Sequence, residues 1–180
     1  MKEFVSEAVV LSVNPSKERD LVVTLFTKEH GRVRAKVTSG ARMRSKFSPH
    51  LNPLNHVTVR LAEKRGFTLT DVLTNNSFKE IRADVRACGA ALRTLAVVHA
   101  LAPEGEGDAR VWHELMRALE SRACNPLSFL TLFGHYASNM GCTYCGESPI
   151  SHFAFASHAL LCARCSMSVP ENALVLIGTQ

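Results

Sequence analysis

The first 80 residues contain no tyrosine and no tryptophan, and the whole 180-residue chain has one Trp and two Tyr. Single-strand binders draw much of their affinity from bases stacked on aromatic rings. Here only Phe4, Phe26, Phe47, Phe67 and Phe78 are available for that, and a core claims several of them. Long apolar runs are missing as well. No stretch approaches the roughly 20 apolar residues of a membrane span. The N-terminal "MKEFVSEAVVLSVNPSKERD" carries Glu3 and Glu7 and no unbroken apolar region of about seven or more residues, so it is a poor signal peptide. The expected compartment is the cytoplasm, where cysteines stay reduced. Catalytic signatures are absent too: there is no GxxxxGK[ST], GxSxG or HExxH. The carboxylates are scattered, and nothing points to an enzyme.

What is present is positive charge, unevenly placed. Residues 1–80 hold 14 Lys/Arg against 8 Asp/Glu, whereas residues 81–180 hold 7 against 8. A basic first half and a neutral second half imply a polyanionic partner for the first alone. The richest segment is "GRVRAKVTSGARMRSKFSPH", residues 31–50, which has no acidic residue. In a strand, Arg32, Arg34 and Lys36 share one face while Val33, Ala35 and Val37 take the other. Arg42, Arg44 and Lys46 repeat that spacing in the following connector, and Lys64 with Arg65 adds a smaller cluster in a later turn. A charged strand edge that guards against aggregation is the plain alternative. Six cations without a counter-charge fit a surface that tracks phosphates better. Such a surface is weakly sequence-specific and strongly salt-dependent.

Two periodicities divide the chain. "SEAVVLSV", "LVVTLFT", "RVRAKV", "NHVTVRLA" and "FTLTDVLT" read as five strands separated by turn residues, with one long connector after the third. They suit a small closed barrel of the OB type; an SH3-like barrel or a small sandwich fits the pattern equally. After Phe78 the period becomes helical. Ile81, Val85, Cys88, Leu92, Leu95 and Val98 form one expected stripe, ended by Pro103 and Gly105. Val111, Trp112, Leu115, Met116 and Leu119 form a second, with Asp108 as N-cap. Phe129, Leu130, Phe133, Tyr136 and Met140 form a third, opened by Asn125 and Pro126. The expected class is α+β, with a barrel domain over residues 1–79 and a helical domain over 80–180 that carries a cysteine insert at 142–165.

Near the end stands "GCTYCGESPISHFAFASHALLCARCS", residues 141–166. Cys142 and Cys145 form one Cys-x-x-Cys pair, and Cys162 and Cys165 a second, sixteen residues on. Four thiolates in two close pairs make a tetrahedral cage for Zn²⁺. A full shell leaves no open position for water, so the expected zinc is structural. His152 and His158, in the gap, are alternative ligands.

These pieces together resemble the bacterial recombination mediator RecO family. The resemblance is carried by "ERDLVVTLFTKEHGRVRA" (18–35), "SGARMRSKF" (39–47), "LNPL" (51–54), "LAPEGEGDARVWHELMRALE" (101–120) and the cysteine pairs. It implies an N-terminal OB fold, a helical domain and an inserted four-cysteine zinc site. It further implies binding of single- and double-stranded DNA, annealing of complementary strands, and action with RecR. A contact with the C-terminal tail of single-stranded DNA-binding protein (SSB) is also implied. The DNA-facing positions would then be Arg32, Arg34, Lys36, Arg42, Arg44 and Lys46, and the metal positions Cys142, Cys145, Cys162 and Cys165. The rival reading is a zinc-ribbon adaptor for a protein partner, without annealing.

Overall fold

Strand alternation explains why the first part of the chain rolls up. In β3 (Gly31–Val37), Val33, Ala35 and Val37 have no exposed surface, whereas Arg34 and Lys36 are exposed. β4 (His56–Glu63) and β5 (Phe67–Asn76) follow this alternation in part, whereas β2 (Leu21–Thr27) is buried without a break from Val23 to Thr27; each strand still gives one face to a common interior. In the computed structural model, which describes residues 2–16, 20–37, 46–136 and 140–178, these strands and β1 (Lys2–Pro15) close a barrel. Its order is β1-β2-β3-β5-β4. The pairings are antiparallel except that of β3 with β5, a short parallel seam in which Ala35 meets Phe67 and Lys36 meets Thr68. This is the OB-type barrel. β1 departs from simple alternation: Ala8, Val9, Val10 and Leu11 are all buried. Ala8 and Val10 face the barrel interior, while Val9 and Leu11 join the core of the helical part. A strand covered on both sides reads as a continuous apolar run.

Among the described residues, four helices follow: α1 (Lys79–Ala83), α2 (Val85–Leu101), α3 (Ala109–Glu120) and α4 (Pro126–Leu132). Asp108 and Asn125 cap α3 and α4, their side chains accepting from the backbone N–H of Arg110, Val111 and Leu127. Two expectations fail. The first stripe is not one helix, because Asp84 is extended and its carboxylate accepts from the N–H groups of Arg86 and Ala87. That cap restarts the phase. α2 buries Ala91, Thr94, Leu95, Val97 and Val98, and leaves Val85 87% and Leu92 45% exposed. The third stripe also stops early. Gly134 takes a left-handed φ of 78°, and the N–H groups of Gly134 and His135 donate to the carbonyls of Thr131 and Leu130. This Schellman arrangement ends α4 at Leu132, before Tyr136 and Met140. None of the described helices is long and apolar enough to cross a membrane.

The connector between α2 and α3 straps the helices to the barrel. Beyond its short seam with β5, the outer edge of β3 is taken by this connector. The Arg32 N–H donates to the Pro103 carbonyl (3.1 Å), and the Gly105 N–H donates to the Arg32 carbonyl (3.1 Å). The approach is close enough that a Cβ at Gly31 would lie 2.0 Å from the Glu106 carbonyl oxygen. The strand edge is thereby covered. The last part of the chain, which carries the cysteine insert, is mostly a small sheet. Strands β6 (His152–Ala154), β7 (Ala159–Leu161) and β8 (Leu174–Leu176) pair in the order β7-β6-β8, with a one-turn helix α5 (Ala163–Ser166). Phe153, Leu161 and Val175 pack into the helical core from this sheet.

Candidate nucleic-acid interface and metal centre

Six cations were expected to form one surface, and the fold treats them differently. Arg34 and Lys36 stand exposed on β3, as the strand pattern requires. Across the parallel seam, the β4–β5 turn places Lys64 and Arg65 opposite them. Together with Gly66, Phe67 and Thr68 these side chains line a cleft of about 440 Å³. Among the described residues, none that lines it is acidic. Each of its four cations therefore presents uncompensated charge to one small volume.

Arg32 lies on the same strand but turns elsewhere. Its guanidinium donates to the His99 carbonyl at the end of α2 (2.5 Å), and its Nε is buried without a hydrogen-bond partner. Burial, and after it the nearby Arg32 and Arg34 charges, hold the His99 pKa below the ordinary value of 6.5. Arg32 thus ties barrel to helix instead of completing the cationic row. Lys46 is exposed, sits 3.4 Å from Asp71 on β5 and lies over the Phe47 ring. Arg42 and Arg44 lie outside the described residues. Lys64 and Arg65 were visible in the sequence as a basic turn; only the pairing of β3 with β5 makes them the facing wall.

The four cysteines converge. The sulfurs of Cys142, Cys145, Cys162 and Cys165 all lie within 4.8 Å of one another, and Cys145 and Cys162 are 3.7 Å apart. A tetrahedral Zn²⁺ with Zn–S bonds of about 2.3 Å requires sulfurs about 3.8 Å apart, so the donor set fits. Each pair is shaped by its own knuckle. The Gly146 N–H donates to the Cys142 carbonyl, and the Ser166 N–H donates to the Cys162 carbonyl. The sheet joins the knuckles through the Thr143 N–H and the Leu160 carbonyl (2.7 Å). Burial works to raise the Cys142 thiol, but N–H groups of Cys162, Cys145 and Tyr144 prevail and bring it down to about 6. The Cys145 side chain, followed by burial, pushes the Cys165 thiol up to about 12. Four thiols this close ionise together only when a cation shares their charge. The two histidines are occupied elsewhere: His152 hydrogen-bonds Ser151, and His158 packs on His135 and Phe153.

The family model for "Recombination protein O N terminal" matches residues 1–77, which is the barrel. The DNA repair protein RecO of Geobacter metallireducens is 30% identical, over 99% of this chain and 80% of that protein. RecO of Geobacter sulfurreducens is 29% identical over 88% of this chain and 71% of its own length. RecO of Myxococcus xanthus is 25% identical over 99% and 79% respectively. The likeness therefore extends from the barrel through the helices to the cysteine pairs.

Proposed function

Because this chain belongs to the DNA repair protein RecO family, with its role in DNA repair and recombination, we propose how it acts. It binds single- and double-stranded DNA through the cationic cleft and anneals complementary strands. With RecR it helps load recombinase onto DNA coated by SSB. One observation carries the DNA part: Arg34, Lys36, Lys64 and Arg65 face one volume with no acidic lining. Phosphate is the chemistry such a cleft selects: lysines meet it as point charges and arginines through their planar guanidinium forks, and contacts to phosphate hold a backbone without reading its sequence. Annealing needs no fuel, since base pairing supplies the free energy. The protein screens repulsion between phosphates and leaves base edges free to pair. RecR and the acidic, apolar C-terminal tail of SSB enter through family membership alone.

Cys142, Cys145, Cys162 and Cys165 hold a structural Zn²⁺ in this reading, which supplies folding free energy to the terminal sheet and no bond-making chemistry. The sheet in turn packs Phe153 and Val175 against the helices. The zinc therefore supports the frame to which Arg32 and the Pro103–Gly105 strap fasten the barrel.

The test is strand annealing on bare and SSB-coated DNA, with wild type and the combined change Arg34→Ala, Lys36→Ala, Lys64→Ala and Arg65→Ala. Annealing should fall at least about tenfold on both substrates while the melting temperature stays put, because four phosphate contacts are lost and no core group is. Unchanged annealing would overturn the assignment of the cleft. Activity on bare but not on coated strands in the wild type would remove the SSB part.

A further inference from the structure

The sequence offers few rings to a ligand in its first 80 residues; the fold gathers three of them at one place. Phe4 lies near the start of β1, His30 in the β2–β3 turn and Phe67 at the start of β5. The Phe4 ring centroid is 4.4 Å from that of His30 and 5.6 Å from that of Phe67, the second contact edge-on at 86°. Phe4 and Phe67 pack against the barrel core from its rim, and all three side chains remain partly exposed. Aliphatic side chains such as Val33, Leu61 and Leu69 fill the interior below without any exposure. Phe67 also lines the cationic cleft beside Lys64 and Arg65. The ring cluster thus borders the phosphate-seeking cations through Phe67.

We propose that His30, Phe4 and Phe67 form a stacking platform for unpaired bases of the strand whose phosphates rest on Arg34, Lys36, Lys64 and Arg65. The inference rests on the nucleic-acid reading above and deepens it: the preferred ligand is single-stranded. In a duplex the base faces are already stacked on one another, so a ring at the barrel rim gains nothing from them. Every base has a face to offer, so the platform adds affinity without sequence preference. It also leaves the Watson–Crick edges turned outward for a second strand.

An oligothymidine and an abasic strand of equal length carry the same phosphates and differ only in bases. Wild-type protein should bind the abasic strand at least about fivefold more weakly, the lower end of one base–ring contact, with the same salt dependence. Phe67→Leu keeps apolar volume against the barrel core, and His30→Ala removes one ring of the cluster while sparing the buried interior. Each should bring the two affinities closer together. Equal wild-type affinity for both strands, at a salt slope that still reports phosphates, overturns the platform and leaves the cleft standing. An affinity ratio unchanged in both variants also overturns it, since the bases are then held elsewhere. Failure to bind either strand overturns platform and cleft together.

Discussion

Arg32 and Arg34 are two residues apart on one face of β3, yet the structure gives them opposite tasks, and this makes them a controlled pair. Arg34→Ala removes a cation from the cleft and leaves the core untouched. With four phosphate contacts at about 0.7 each, log K should fall against log salt with a slope of about −2.8. Between about 50 and 200 mM salt that is roughly a 50-fold loss of affinity. One contact fewer gives about −2.1, or roughly a 20-fold loss. Arg32→Ala should leave the slope near the wild-type value. Its guanidinium instead bonds the His99 carbonyl, a charge-assisted hydrogen bond between barrel and helix. Such a bond contributes about 1.5–3 kcal/mol, less here because the side chain is only partly buried. In a chain of this size about 1 kcal/mol moves the melting temperature by roughly 2–4 °C. The assay is therefore double: fluorescence-anisotropy titrations of single-stranded DNA across salt, and thermal melts of the same samples. Arg34→Ala should flatten the slope at constant melting temperature, and Arg32→Ala should do the reverse. If Arg32→Ala flattened the slope by a full contact and melted like wild type, the inward placement of Arg32 would be refuted.

Two more predictions concern the rest of the frame. Cys142→Ser should reduce bound zinc from about one equivalent per chain to near none and lower the melting temperature, since the ligand set then loses a buried thiolate; metal analysis showing full zinc with normal melting would sink the four-cysteine site. His99 and His135 are held below the usual histidine range, the first by burial and then by Arg32 and Arg34, the second by burial and then by His158. Their neutral forms are favoured in the fold, so the unfolded chain takes up protons more readily as pH falls through about 6.5. Stability from these groups is fully present above that value and is lost below it; equal melting temperatures at about pH 7.5 and pH 5.5 would contradict the burial of both rings.

Much of the architecture was legible because its causes are local. Five strands announced themselves by alternation and turn residues, and each was found within a few positions. Asp108 and Asn125 were readable as caps because a short side-chain acceptor just before an apolar period satisfies free N–H groups wherever the helix packs. The Cys-x-x-Cys pairs were readable because the spacing alone shapes a knuckle. The helix phases were less legible. Asp84 resembles any exposed acid within a helical run until its carboxylate is seen on two N–H groups, and with it the expected Val85 and Leu92 stripe turns outward.

The sequence by itself determined the class of fold, the caps, the thiolate set and the presence of a basic first half. Only the tertiary structure decided which cations act together. Arg34 and Lys36 are separated from Lys64 and Arg65 by about thirty residues, and no periodicity predicts that β5 will close the barrel on β3 in parallel register. Nor does strand alternation distinguish Arg32 from Arg34; that depends on where α2 ends and on a connector that lies across the strand edge. The same holds for His30 and for Phe4 and Phe67, two of the five phenylalanines in the first half, since only barrel closure brings these three rings together. Periodicity is set by neighbours along the chain, whereas a binding surface is set by neighbours across it.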